Sequence, residues 1–349
     1  MTTKAVFLFT SIAFLMIHIP TQKSMAQGLF SPKNRINRYT SVGLGVGSSH
    51  YYGDLSSPSP QLFYYGLYTN VRFNVNANYT KHFNPNTAVR LQLAWVRLYG
   101  DDFNYAQRNM SKLYTNYIRN FNFVNDVKEM TISGIFNLIP TYDKGSKGRL
   151  NFTPYVTIGA GLIAHSPKTW YRDGNGVKKV ALKNAATNGN VLPGAGTKSY
   201  SLVTAVLPMG FGVRWKVNNK IDVSLEGNIR ISGTKYLDDV YRDPYPDETL
   251  LASYVGSENA SLSKRYDELV HAKTGKDRQA TLQEIYLNYV SPITGGTATT
   301  AAGQIAETLS FYDTRHADRG GYRFNDIYAT TQITVSYIIS DIIKCPVNQ

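Results

Sequence analysis

Over long stretches the polarity of this chain alternates residue by residue. In the clearest example Leu207, Met209, Phe211, Val213, Trp215 and Val217 share one phase, and Pro208, Gly210, Gly212, Arg214 and Lys216 share the other. After Asn218-Asn219-Lys220 a second run puts Val223, Leu225, Gly227, Ile229 and Ile231 on one face and Asp222, Ser224, Glu226, Asn228 and Arg230 on the opposite one. A period of two belongs to a strand whose faces meet different surroundings, not to a helix. Each run matches the ~9–11 residues of a tilted membrane-crossing strand and exceeds the ~5–6 of a soluble one. Arg or Lys facing lipid near the midplane costs about 2–4 kcal/mol, so Arg214, Lys216 and Arg230 are expected to point inward. By the same register Leu225→Arg is expected to block assembly, and Ser224→Arg to be tolerated better.

The alternation recurs and predicts eight strands, over 39–53, 71–81, 87–99, 124–138, 151–163, 199–217, 221–232 and 323–339. Short connections follow the second, fourth and sixth strands, and long ones the first, third, fifth and seventh. An even strand number with this rhythm predicts an all-β fold, an eight-stranded antiparallel transmembrane β-barrel with long extracellular loops and both termini periplasmic. In the first strand Gly43, Gly45 and Gly47 share the inward face and suit a crowded lumen. In the third, the apolar phase slips from Trp95 to Val96 and Leu98, which predicts a bulge near Trp95. The last loop, 233–321, is too long to be structureless. Helical spacing appears at 261–273 and 277–289, and the low-complexity piece 297–303 is expected to be mobile.

The chain opens with Lys4, an apolar stretch over 5–19, Pro20 and Ser24-Met25-Ala26. This pattern reads as a secretory signal over 1–26, cleaved before Gln27, leaving 27–349 as one barrel domain. No later segment offers the ~18 apolar residues of a spanning helix. The only cysteine, Cys345, follows the last strand, so neither a disulfide framework nor a cysteine metal site is expected. The formal charge of +13 is dispersed. The 26 tyrosines suit interface belts better than base stacking, and no nucleic-acid partner is expected.

An eight-stranded barrel is filled by its own side chains, which argues against a diffusion pore. Inside, Arg72, Arg90, Arg214, Lys216 and Arg230 are expected to pair with Asp222 and Glu226, because an unpartnered buried charge costs several kcal/mol. That network reads as structural glue. Asp238, Asp239, Asp243, Asp247 and Glu248 offer oxygen ligands but lack the spacing of a calcium loop. Asp238 or Asp239 is instead expected to cap the turn after the seventh strand, and no metal or cofactor is expected. His50, His82, His165, His271 and His316 form no zinc-binding pair. His50 lies beside Ser48 and Ser49, a proximity of common residue types that falls short of a catalytic signature, so no enzyme is expected.

Five stretches together resemble one family. They are Ser49-His50-Tyr51-Tyr52-Gly53-Asp54-Leu55; Pro154 to Gly161 followed by Ser166-Pro167-Lys168; Pro208 to Arg214; Glu226 to Arg230; and Thr234-Lys235-Tyr236-Leu237-Asp238-Asp239-Val240. The chain resembles PorG-like outer-membrane β-barrels associated with type IX secretion, with Tyr52, Gly53, Asp54, Leu55, Tyr236, Leu237, Asp238 and Asp239 as signature positions. Lys235 departs from the acidic residue usual there, and the segment after Val240 is extended. The resemblance implies a part in protein secretion, a seat in outer-membrane lipid, and contact of the periplasmic turns and chain ends with ring proteins PorK and PorN. Alternatives are an orphan barrel with a structural or binding role, or a lipid-modifying enzyme.

Overall fold

The computed structural model describes residues 39–56, 70–139 and 148–339. The 1–26 leader, Cys345, most of the first long loop and the turn at 142–147 lie outside the described residues. Four strands open the chain: β1 (Tyr39–Tyr52), β2 (Arg72–His82), β3 (Thr87–Asp101) and β4 (Asn122–Asn137). They are followed by β5 (Phe152–Ala164), a side hairpin β6 (Lys168–Asp173) and β7 (Gly176–Ala181), then β8 (Val203–Lys216), β9 (Ile221–Ser232) and β10 (Ile327–Ile339). Hydrogen-bonded order is β3-β2-β1-β10-β9-β8-β5-β4, and β3 pairs with β4 from Thr87↔Phe136 to Asp101↔Asn122. All barrel pairings are antiparallel, so the sheet closes as an eight-stranded barrel without a free edge.

The alternation resolves into two faces. Leu44, Leu93, Ile132, Phe211, Ile229 and Ile333 stand outward, Leu44 at 72% exposure, while Asn76, Gln92, Thr131, Glu226 and Gln332 are buried in the lumen. An apolar surface that circles the whole barrel is a liability in water and a solvated belt in lipid. Gly43 and Gly45 face inward, where a Cβ on Gly45 would lie 2.5 Å from the Thr334 hydroxyl. Side-chain oxygens hold the short turns: Asn84 accepts from the amides of Asn86 and Thr87, both at 2.8 Å, and Asn218 from those of Lys220 and Ile221, at 2.7 and 2.9 Å. The first residue of β1 and the last of β10 lie at this same end.

At the opposite end the long connections fold into a cap. Between β3 and β4 lie α1 (Asp102–Ala106) and α2 (Met110–Arg119), where a plain loop is expected from the sequence. The 165–198 connection forms the β6–β7 hairpin and α3 (Leu182–Ala185). Beyond β9 come α4 (Glu248–Val255), α5 (Ser257–Ser261), α6 (Gln279–Ile285), a π-helical segment (Tyr286–Val290), α7 (Ser291–Thr294) and α8 (Ala301–Arg315). Phe103, Leu113, Tyr117, Leu282, Ile285 and Tyr312 pack into one core of this cap.

Three expectations are corrected. No bulge interrupts β3, whose register with β2 and β4 runs unbroken through Trp95. Trp95 faces out, whereas Val96 and Leu98 face in and are fully buried with Phe123, Val127, Ile163 and Val206. The phase change marks the level at which the strand leaves lipid and its inner face becomes apolar cap core. Beyond Ser261, which ends α5, residues 262–273 are not helical: Arg265 donates to Thr169 and Tyr266 to Asp313, and the chain then turns at His271–Lys276. The 297–303 piece enters α8, with the Thr300 hydroxyl accepting from the Gly303 amide at 3.2 Å.

Candidate functional site

The lumen is filled in layers. Nearest the short turns, Asp222 accepts from Arg149 at 2.9 Å and lies 3.9 Å from Arg214, beside Tyr39 stacked on His82. One layer up, Arg90 grips Glu226 with both terminal nitrogens, at 2.9 and 2.8 Å. The same carboxylate accepts from Tyr155 and Asn228, each at 2.8 Å, and from Gln332 at 3.3 Å. Above that, Arg230 pairs with Glu129 at 2.9 Å, and Tyr328 donates to Glu129 at 2.7 Å.

Glu129 was not among the partners expected from the sequence, although it shares the inward phase of Thr131 and Ser133. Arg72 lies outside the lumen, where it donates to its neighbour's carbonyl and covers the ring of Tyr99. Lys216 reaches the Arg149 carbonyl at 3.5 Å.

The signature residues converge above these layers. Gly53 ends β1 in a tight turn with Ser56, and a Cβ there would collide with the Tyr51 hydroxyl and the Asp326 carboxylate. Asp54 accepts from the amides of Gly321 and Tyr322 at 2.6 and 2.9 Å. Leu55 packs with Leu237 and Val240 in the plug of the mouth. Tyr52 is buried at the end of the strand. From the other stretch, the Leu237 amide donates to Asp326 at 2.8 Å, and the Tyr51 hydroxyl donates to the other oxygen of Asp326 at 3.0 Å.

Asp238 accepts from the Val240 amide at 2.9 Å, a side-chain-to-backbone turn closure. Asp239 is held by Arg319 at 3.2 Å, Tyr200 at 2.7 Å and Thr187. Tyr236 stacks on Tyr200 at 4.8 Å and donates to Asp243, while Lys235 donates to Tyr241 at 2.7 Å. Asp243 and Asp247 are spent separately, Asp247 capping α4. Among the described residues no group of three or more potential ligands is arranged to hold a metal.

A cleft of about 340 Å³ opens beside this junction, lined by Asp54, Asn116, Arg119, His316, Arg319 and Tyr322 among others. Its arginines are occupied: Arg119 meets Asp102 at 2.7 and 2.9 Å, and Arg319 meets Asp239. Ser48 lies 3.3 Å from the His50 ring, but Ser49 donates to the Arg97 carbonyl and the far nitrogen of His50 meets no hydrogen-bond partner among the described residues. An imidazole with no group to orient it lacks the third member of an activated-nucleophile arrangement.

Burial pushes the Asp238 and Asp326 carboxyls well above the usual carboxylate range; the charge of Asp54 raises Asp238 further, and those of Asp238 and Asp54 raise Asp326. Asp54 is itself raised by burial, with Arg119 opposing. Acids whose folded pKa is raised contribute stability that is full below their unfolded value of ~3.9 and is lost as the pH climbs through the folded value. The cap is therefore expected to loosen from mildly acidic toward alkaline pH while the strands stay closed. Amide protection factors of residues 233–326, taken relative to the intrinsic rise of exchange with pH, should fall as the pH climbs above the unfolded value of ~3.9, and Asp238→Asn should flatten that fall. An identical profile in wild type and variant would remove the carboxyl cluster as its cause.

No family model matches the chain, and no curated protein matches it. Solved structures overlap weakly. The attachment invasion locus protein Ail of Yersinia pestis aligns over 87% of this chain and 99% of its own at 8% identity and a TM-score of 0.32. Neisserial surface protein A aligns over 56% and 84% at 11% identity and 0.31. The outer membrane protein OprG of Pseudomonas aeruginosa aligns over 87% and 96% at 7% identity and 0.28. The barrel assignment rests on the pairing register, not on these overlaps.

Proposed function

We propose that this chain is a non-enzymatic outer-membrane β-barrel serving as a component or anchor of the type IX protein secretion machinery. The observation that carries the passive role is the sealed lumen: the Arg90–Glu226 and Arg230–Glu129 layers fill it, and an apolar plug lies over them. Such an interior conducts nothing and leaves the two rims as the working surfaces. The secretion role is supported by the resemblance to PorG-like barrels. Its signature stretches, 52–55 and 236–239, are far apart in sequence and come together at one junction, where Leu55 packs with Leu237 and Asp326 lies against Gly53 and accepts from the Leu237 amide. In this reading both termini and the short turns are periplasmic and face the ring proteins PorK and PorN, and the cap is outside.

In vivo cross-linking followed by pull-down of a chromosomally tagged copy is expected to recover PorK- and PorN-like proteins well above an unrelated barrel control. Their absence, with the barrel intact in the outer membrane, would overturn the secretion role. The folded cap and its 340 Å³ cleft would then favour the second reading, an orphan barrel that binds a ligand outside. In planar bilayers the chain is expected to give no steady conductance steps, and porin-sized steps would contradict the sealed lumen.

A further inference from the structure

A cationic surface rings one side of the barrel directly above its apolar belt. Phe73 and Trp95 are the last outward apolar residues of β2 and β3 toward the cap, edge to face at 5.4 Å. Lys128 lies opposite Trp95 on β4. At the next outward position Arg97 covers the Phe73 ring at 5.0 Å and holds Asp126 at 2.6 and 2.8 Å. One position further, Tyr99 packs against Trp170 of the side hairpin at 5.7 Å. Arg72 lies 3.7 Å over the Tyr99 ring; Lys273 lies 4.5 Å from that ring and 4.6 Å from Trp170; Lys179 lies 5.6 Å from Trp170.

Five cations from β2, β3, β4, the hairpin and the last loop thus meet on one outward face. Asp126 is taken by Arg97, and Asp101 lies behind Tyr99, whose hydroxyl donates to it at 2.6 Å. Among the described residues Arg72, Lys128, Lys179 and Lys273 form no ion pair within the chain, although Lys178 beside them does so twice. The rings beside Arg72, Lys179 and Lys273, and the Tyr99 hydroxyl to which Lys273 donates at 3.1 Å, offer weaker compensation than a carboxylate. Burial lowers the Lys273 pKa, and Arg72 and Lys179 add to that by repulsion, with Asp101 opposing.

Height decides what meets this face. From Trp95 to Tyr99 is four residues, ~13 Å along the strand and ~10 Å of vertical rise at a barrel tilt of 35–45°. The headgroup layer beyond the hydrocarbon is roughly 5–7 Å thick on each side. Lys128, level with Trp95, and Arg97, one outward position higher, therefore stand at the base and within the headgroup layer, while Arg72, Lys179 and Lys273, grouped around Tyr99 and Trp170, stand just above it on side chains long enough to reach back down. We infer that this rim docks the phosphate groups of an anionic outer-leaflet glycolipid of the lipid A type. A phosphomonoester carries about −1.5 to −2 charges and three acceptor oxygens, which suits cations converging from separate elements. A zwitterionic headgroup brings no net charge to such a surface.

The inference rests on the outer-membrane reading with the cap outside. The full chain is refolded into nanodiscs of phosphatidylcholine containing either bisphosphorylated lipid A or its dephosphorylated form, and bound lipid is counted by native mass spectrometry. Phosphorylated lipid A is expected to be retained about tenfold or more over the dephosphorylated form, and the triple variant Arg72→Gln/Lys179→Gln/Lys273→Gln to lose that preference. Lys273→Arg, which keeps the charge, should retain it. Equal retention of both lipids by a wild-type barrel that has inserted would overturn the docking site. Displacement by inorganic phosphate as effective as by the lipid would overturn the lipid assignment in favour of a soluble anion. Failure to insert at all, read as the absence of a heat-modifiable gel band, would strike the membrane-barrel reading itself.

Discussion

Glu226→Ala is expected to lower barrel stability by about 3–5 kcal/mol, the range for breaking a buried pair by removing one partner. The carboxylate is 2% exposed and accepts from Arg90 twice and from Tyr155, Asn228 and Gln332. Alanine leaves the Arg90 guanidinium in a sealed lumen with its counter-charge gone. Urea unfolding in lipid vesicles, followed by the heat-modifiable gel shift, measures the loss. The double variant Arg90→Ala/Glu226→Ala should be damaged less than the sum of the single ones, because the second change removes the orphaned charge. Asp126→Ala is the matched control. Its pair with Arg97 has similar bidentate distances, but the two side chains are 30% and 42% exposed. Such a pair contributes about 0–1 kcal/mol. Equal losses at 226 and 126 would mean that burial does not set the value of the lumen pair.

The barrel was legible in the sequence because a membrane imposes opposite demands on the two sides of each strand, so every crossing leaves a period of two. The same logic misleads where the strand leaves lipid. Val96 and Leu98 turn apolar on the inner face because the cap fills the mouth, and alternation alone cannot separate that from a bulge. Pairing inside the lumen was half legible. Arg90, Arg230, Asp222 and Glu226 could be placed inward residue by residue, yet Arg230 chooses Glu129 on β4, which is not a neighbouring strand of β9. Partner choice across a lumen depends on the barrel's closure, which no local pattern records.

The cap was the least legible part. Leu262, Tyr266, Leu269 and Val270 have helical spacing, but Leu269 and Val270 are 38% and 40% exposed and an antiparallel bridge joins Val270 to Asp277. Long-range contacts such as Arg265 to Thr169 and Arg278 to the carbonyls of Tyr117 and Ile118 decide the path there. The two arginines satisfy groups on distant elements, the second at the C-terminal end of α2, where a cation also meets the helix dipole. The signature residues were legible as a motif, but their function as a junction was not: Asp326, through which Gly53 and Leu237 meet, belongs to neither stretch.

Leu225→Arg is expected to prevent stable assembly. Leu225 faces outward at 41% exposure, with Val213 and Ile333 beside it on the neighbouring strands, and an arginine there costs about 2–4 kcal/mol in hydrocarbon. Leu225→Met keeps an apolar group toward lipid and should assemble normally. The inward position needs a different probe from the one that strand alternation suggests. Ser224 borders a cavity of only about 30 Å³, shared with Arg90 and Arg214. An arginine would not fit that space and would add a third like charge, so Ser224→Arg should also be damaging, through overpacking and repulsion. Ser224→Asn is the fitting inward change, since it places a short polar group among Asn78, Thr334 and Ser336. In vesicle refolding followed by gel shift, Leu225→Asn should lower the folded fraction far more than Ser224→Asn, because only the outward amide must lose water without gaining a partner. If the two asparagine variants fold equally, the face assigned to lipid on β9 is wrong.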